Sequence, residues 1–128
     1  MNSTKLQLLV VDDEPEIRRL VSEILEDEGY QVAMADNAST ARDLKKTIKP
    51  DLILLDIWMP DTDGITLLKE WIAEDSSLCP VVMMSGHGSV ETAVEATRLG
   101  AFDFLEKPLS MAKLLLIVER ALASSNQP

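Results

Sequence analysis

The residues best able to do chemistry stand where apolar runs end. Asp12-Asp13-Glu14 follows Leu8-Leu9-Val10-Val11, Asp56 follows Leu52-Ile53-Leu54-Leu55, Ser85-Gly86 follows Val81-Val82-Met83-Met84, and Lys107-Pro108 follows Phe104-Leu105-Glu106. Carboxylates gathered together repel one another and resist ionisation unless a cation joins them. An all-oxygen set with few protein ligands suits Mg²⁺, which keeps several waters and also binds phosphate oxygens. Such a site would neutralise charge on an incoming phosphoryl group and leave Asp56 as the nucleophile, with Lys107 adding positive charge and the Ser85 hydroxyl donating to an oxygen. Taken singly, each residue has a plainer reading. Asp12 to Glu14 could be a dipole-favoured cluster ahead of a helix, Asp56 a turn residue, Ser85 the start of a loop and Lys107 a solvated lysine. What favours the joint reading is where the fold must place them.

Short runs rich in Val, Ile and Leu alternate with stretches of helical period, the pattern of a parallel sheet with crossover helices. The strands are predicted at Leu6–Val11, Gln31–Ala35, Leu52–Asp56, Val81–Ser85 and Phe102–Leu105. The first, third and fourth are nearly all apolar, as strands covered on both faces should be. Right-handed crossovers cover both faces only if the direction of strand addition reverses once, which gives an α/β fold with a doubly wound five-stranded parallel sheet and five helices, and the flavodoxin-like order 2-1-3-4-5 is the one expected among such folds. Ligands in such folds bind beyond the carboxyl ends of the strands at the switch point. Strands one and three are then neighbours, so Asp12, Asp13 and Asp56 converge where a ligand is expected.

Pro15 suits a first helical turn, after which Ile17, Leu20, Val21, Ile24 and Leu25 share a face until Gly29. Asn37 or Ser39 could cap the second helix, whose Ala41, Leu44 and Ile48 face inward before Pro50. The third helix runs from about Gly64 to Glu74 with Ile65, Leu68 and Ile72 inward, and Trp71 is read as packing. Ser89 should cap the fourth, held by a narrow stripe of Val90, Ala93, Val94 and Thr97 and closed by Gly100. The fifth, capped by Ser110, carries Met111, Leu114, Leu115, Val118 and Leu122 at helical spacing. Residues 1–123 are thus expected to form one domain and 124–128 a tail or the start of a linker.

Bulk properties narrow the classes. At 128 residues with 46% hydrophobic content the chain supports one core, and no apolar run nears the roughly 20 residues that cross a bilayer. The N-terminal residues lack a signal-peptide cleavage site, and the single cysteine, Cys79, excludes an internal disulfide, both pointing to a cytoplasmic protein with no membrane partner. A net charge of −10 without a basic run speaks against DNA binding by this segment.

These motifs, with Met59-Pro60-Asp61-Thr62-Asp63-Gly64 after Asp56, resemble the receiver domains of two-component response regulators across essentially the whole chain. The resemblance implies a phosphoacceptor switch rather than a turnover enzyme, one that takes a phosphoryl group from a sensor histidine kinase onto Asp56 with Mg²⁺ and controls an output, transcription in the first place. It implies direct metal ligation by Asp13 and Asp56, a water-mediated role for Asp12, and a ligand in the Trp58 carbonyl. It also implies a cis Lys107–Pro108 peptide and a switch pair of Ser85 and Phe104. Many relatives carry Tyr where Phe104 stands, so a hydroxyl is missing here.

Ser85-Gly86-His87-Gly88, Asp56-Ile57-Trp58 and Gly100-Ala101-Phe102-Asp103-Phe104 look most like the nitrogen-regulation branch, whose members usually add an ATPase that activates sigma-54 polymerase and a DNA-binding domain. No G-x-x-x-x-G-K-[ST] loop occurs in these residues. The chain is therefore expected to be an excised receiver or a single-domain regulator, reaching DNA only through an output domain absent from these residues, with a homodimer left open. His87 is the only histidine, and the resemblance supports an influence on dephosphorylation rate for it. A phosphatase working through an aspartyl phosphate is the competing enzyme class. Asp56-Ile57-Trp58 lacks its second Asp, and the loops are too short for a cap over substrate. A receiver that no longer accepts phosphate is the competing binding module, and the complete set of Asp12, Asp13, Asp56, Ser85 and Lys107 speaks against it.

Overall fold

The computed structural model describes residues 5–86 and 90–125. Strands and helices alternate strictly: β1 (Gln7–Val11), α1 (Pro15–Asp27), β2 (Gln31–Ala35), α2 (Ala38–Ile48), β3 (Leu52–Asp56), α3 (Gly64–Glu74), β4 (Val81–Ser85), α4 (Val90–Leu99), β5 (Asp103–Glu106) and α5 (Met111–Ser125). The five strands are parallel in the expected order β2-β1-β3-β4-β5. Side chains alternate across the sheet. Leu9, Val11, Ile53, Leu55, Val81 and Met83 meet α2, α3 and α4 on one face. Leu8, Val10, Leu52, Leu54, Val82 and Met84 meet α1 and α5 on the other. Every residue of β3 and β4 is buried, which explains why these strands read as unbroken apolar runs. No helix among the described residues is long and apolar enough to cross a membrane.

Two strands differ from the sequence reading. β1 starts one residue later than expected, and β5 spans Asp103–Glu106 rather than Phe102–Leu105. The ladder carries on past the apolar residues, pairing Ser85 with Glu106 and letting the Lys107 amide donate to the Ser85 carbonyl at 2.7 Å. Polar residues continue this strand because it is the sheet edge, where one side of the ladder is unpaired.

Helix faces were less legible than strands. In α1 the buried face takes in Ser22 beside Val21 and Leu25, which turns Leu20 outward. Leu67, Leu68 and Trp71 form the buried face of α3, while Ile72 is exposed. Ala93 and Ala96, not Val94 and Thr97, seat α4 against the sheet, since alanines permit the closest approach. Met111 lies outside the core at the start of α5, where Leu114, Val118, Ala121 and Leu122 are buried. The helix continues through Ser125, so Ser124 and Ser125, read as tail, belong to its last turn.

Caps follow local chemistry. Asn37 accepts from the Thr40 amide at 2.8 Å and starts α2, and Ser110 Oγ accepts from the Lys113 amide at 3.3 Å. Gly29 and Gly100, with φ of 97° and 135°, end α1 and α4 in backbone conformations that favour glycine. The expected cap Ser89 and the residue His87 lie outside the described residues.

Candidate functional site

Parallel strands deliver their carboxyl ends to one edge of the sheet, and there β1, β3, β4 and the segment after β5 bring the acidic run, Asp56, Ser85 and Lys107 together. Asp12, Asp13 and Asp56 each offer a carboxylate oxygen within 4.8 Å of the others. Asp12 and Asp56 are buried and Asp13 is exposed, which leaves the cluster open to solvent on one side. The Asp12 carboxylate also accepts from the Glu14 amide at 2.8 Å, tying the turn into α1.

Lys107 reaches into this cluster. Its Nζ lies 2.9 Å from Asp12 Oδ2, 2.6 Å from Glu14 Oε1 and 3.4 Å from Asp56 Oδ1. The Lys107–Pro108 peptide that follows is cis. Burial works against the lysine charge, but Glu14, Asp12 and Asp56 outweigh it and hold the pKa above the ordinary lysine value. Burial, reinforced by the charge of Asp12, pushes Asp56 up to about 7, with Lys107 pulling the other way. Asp12 is raised as well, chiefly by burial. Two buried carboxylates that resist ionisation beside a third form a site short of positive charge even with Lys107 present.

Ser85 is fully buried at the end of β4, and among the described residues its Oγ has no hydrogen-bond partner. By strand alternation it follows Val81 and Met83 onto the α3–α4 face, against which Phe104 also packs. Trp58 is 57% exposed in the loop after Asp56, whereas Ile57 beside it is buried.

Three residues near the site were given no role of their own by sequence reasoning. Glu14 supplies the shortest ion pair of Lys107, across 93 positions. Arg18 Nη1 donates to the Asp12 carbonyl at 2.7 Å, holding the acidic turn from one helical turn into α1. Gly64 packs its backbone onto β3: a Cβ there would collide with the Asp56 carbonyl oxygen and sit 3.0 Å from Ile57 Cα. Its amide donates to the Ile57 carbonyl at 2.6 Å. An Asp-Gly pair at a helix start was the available signal for Gly64. The other two contacts depend on side-chain reach, which spacing does not reveal.

Comparison with known proteins is consistent along the chain. Residues 8–119 match the family model of the response regulator receiver domain. The nitrogen assimilation regulatory protein NtrX of Azorhizobium caulinodans is 49% identical over 117 residues, which is 90% of this chain and 26% of that protein. The regulatory protein AtoC of Escherichia coli is 45% identical over 116 residues, 91% of this chain and 25% of that protein. This chain therefore spans about a quarter of the length of these relatives. The crystal structure of the receiver domain of NtrX from Brucella abortus superposes with a TM-score of 0.87 at 48% identity, covering 91% of this chain and 98% of that one. With the sheet order, the acidic cluster and the lysine already in place, these matches establish that the chain belongs to the response regulator receiver domain family, the signalling switches of two-component regulators.

Proposed function

We propose that Asp56 is the phosphoacceptor of this receiver and that Asp12, Asp13, Asp56 and the Trp58 carbonyl hold a Mg²⁺ ion beside it. The observation that carries the reading is a carboxylate only 3% exposed at the end of the central strand, with a lysine 3.4 Å away and two further aspartates in reach. The donor set fits the ion: hard oxygens only, one carboxylate open to water, and two buried carboxylates held above their ordinary pKa. When bound, Mg²⁺ would neutralise carboxylate charge and stabilise the negative oxygens of a phosphoryl group in transfer.

The chain's own residues supply the remainder. An Asp56 carboxylate oxygen attacks phosphorus as the donor's bond to phosphorus breaks, and the leaving group keeps that electron pair. Lys107 Nζ, already 3.4 Å from Asp56 Oδ1, can turn from Glu14 towards a phosphoryl oxygen. Ser85 offers a buried hydroxyl that can donate to another. Drawing Ser85 towards the phosphoryl group would open space for Phe104 on the same face, which makes these two the switch pair. Exposed Trp58 borders the approach of hydrolytic water, and His87 is assigned by resemblance alone an influence on the same step.

A sensor histidine kinase would supply the phosphoryl group, and the switch would control an output that is transcriptional in the first place, as the regulatory names of the longer relatives suggest. Incubation with Mg²⁺ and acetyl phosphate, followed by intact-mass measurement, tests the assignment. One added phosphate is expected on the wild type and none on Asp56→Asn. Equal labelling of both would overturn it.

A further inference from the structure

The segment between Asp56 and α3 has to keep the Trp58 backbone beside the proposed metal site, yet its middle is exposed. Its two ends are fixed to the sheet and to α3: the Ile57 amide donates to the Met84 carbonyl at 3.2 Å, and the Ile57 carbonyl accepts from Gly64. Between them the arch of residues 58–63 has little burial, with Trp58, Pro60 and Asp61 all exposed. Apart from Met59, half-buried against the core, burial does not hold it in place.

Asp61 does. One carboxylate oxygen accepts from the Ala38 amide at 2.9 Å and from the amide of Thr62 at 2.9 Å, and the other accepts from the Ser39 amide at 3.0 Å. Ala38 and Ser39 open α2, whose third free amide, Thr40, is taken by the helix's own cap, Asn37. A helix with a local cap gains only part of a capping benefit from a second acceptor, supplied from more than 20 residues away. The restraint falls instead on the loop that supplies it. One turn into α2, Arg42 Nη2 donates to Thr62 Oγ1 at 3.3 Å. Arg42 also pairs with Glu70 of α3 through Nε and Nη2 at 3.0 and 2.9 Å. The arch is thus pinned at Asp61 and Thr62 to a helix that is itself fastened to α3.

We infer that Asp61 is a positioning residue for the site: its carboxylate ties the β3–α3 loop to the N-terminus of α2 and thereby fixes the Trp58 carbonyl beside Asp56. The inference rests on the metal site proposed above. A carboxylate suits the task better than a neutral acceptor, because α2 presents the positive end of its dipole to it. Its three amide contacts, that from Ala38 the strongest, hold Asp61 below the usual carboxylate range, so the tie stays charged near neutral pH.

Two measurements on the 128-residue chain test it. In a Mg²⁺ titration followed by Trp fluorescence, Asp61→Ala should raise the half-saturating concentration about threefold to tenfold, at or below the range known for outer-shell partners of metals. Asp61→Asn, which keeps one acceptor oxygen, should give a smaller rise and serves if the alanine variant folds poorly. Without metal, hydrogen exchange in residues 57–63 should quicken in Asp61→Ala while the amides of β4 keep wild-type protection. Unchanged Mg²⁺ affinity and unchanged loop exchange would overturn the inference. So would an equal loss of affinity in Asn37→Ala, since that would mean only the stability of α2 matters. A wild type that ignores Mg²⁺ would refute the metal site and with it this role of Asp61, while the exchange result would still judge the tie between loop and helix.

Discussion

On the α2 side of Asp56, the β3–α3 loop is tied down by the Asp61 carboxylate, by Arg42 and by the close packing of Gly64 on the Asp56 carbonyl. On the α4 side the side-chain holdings among the described residues are slight. Among the described residues Ala93 and Ala96 are the buried side chains of α4, Val94 stands 40% exposed, and the buried Ser85 hydroxyl has no hydrogen-bond partner. Both flanks touch the same carboxylate-bearing strand, so a phosphoryl group on Asp56 would meet one wall that resists and one that yields. Elements with few buried apolar contacts open at the least cost in free energy. The contrast assigns recognition of metal and phosphoryl group to the stiff flank and conformational response to β4, α4 and β5.

The largest effect should come from breaking the stiff flank at its tightest point. Gly64→Ala would force the first turn of α3 off the Asp56 carbonyl, where backbone rather than a movable side chain is in the way. A loss of about 4 kcal/mol in urea unfolding is expected, at the upper end for overpacking. A loss below about 1 kcal/mol would mean that this flank yields after all.

An effect of opposite sign and no larger should follow from relieving the charge between the flanks. In the metal-free protein Asp56 titrates near 7 when folded, against 3.8 for the free side chain. Well below pH 3.8 it is protonated folded and unfolded alike and costs nothing. As pH rises between these values the unfolded chain releases the proton first, so native stability falls. Asp56→Asn should therefore stabilise the metal-free protein by up to about 4 kcal/mol at pH 8 and by less than about 1 kcal/mol near pH 4. Urea unfolding at the two pH values without divalent cations measures this, and an equal effect at both would contradict the cause given for the shift.

Much of this arrangement was legible in the residues. Leu52–Asp56 and Val81–Ser85 could be placed to the residue because strands covered on both faces admit few polar side chains until they end. The convergence of Asp12, Asp13, Asp56 and Lys107 then followed from strand order. Helix faces were harder. Leu20, Ile72, Val94 and Met111 match the helical period, yet they lie at the rim or outside the core, because the exact rotation of each helix depends on how small neighbours such as Ser22, Ala93 and Ala96 let it settle. The same limit hid the tie between Asp61 and α2, a contact set by the path of the loop and not by any spacing in the chain.

The contrast between flanks is tested most directly by hydrogen exchange on the chain with and without phosphate on Asp56, at saturating Mg²⁺. Exchange should change within residues 85–109, which hold Ser85, α4, β5 and Lys107, while α2 and the first turn of α3 keep their protection. Unchanged exchange across residues 85–109 with new exposure in residues 38–48 or 57–67 would contradict the account, because the flank tied by Asp61 and Gly64 would then be the one that moves.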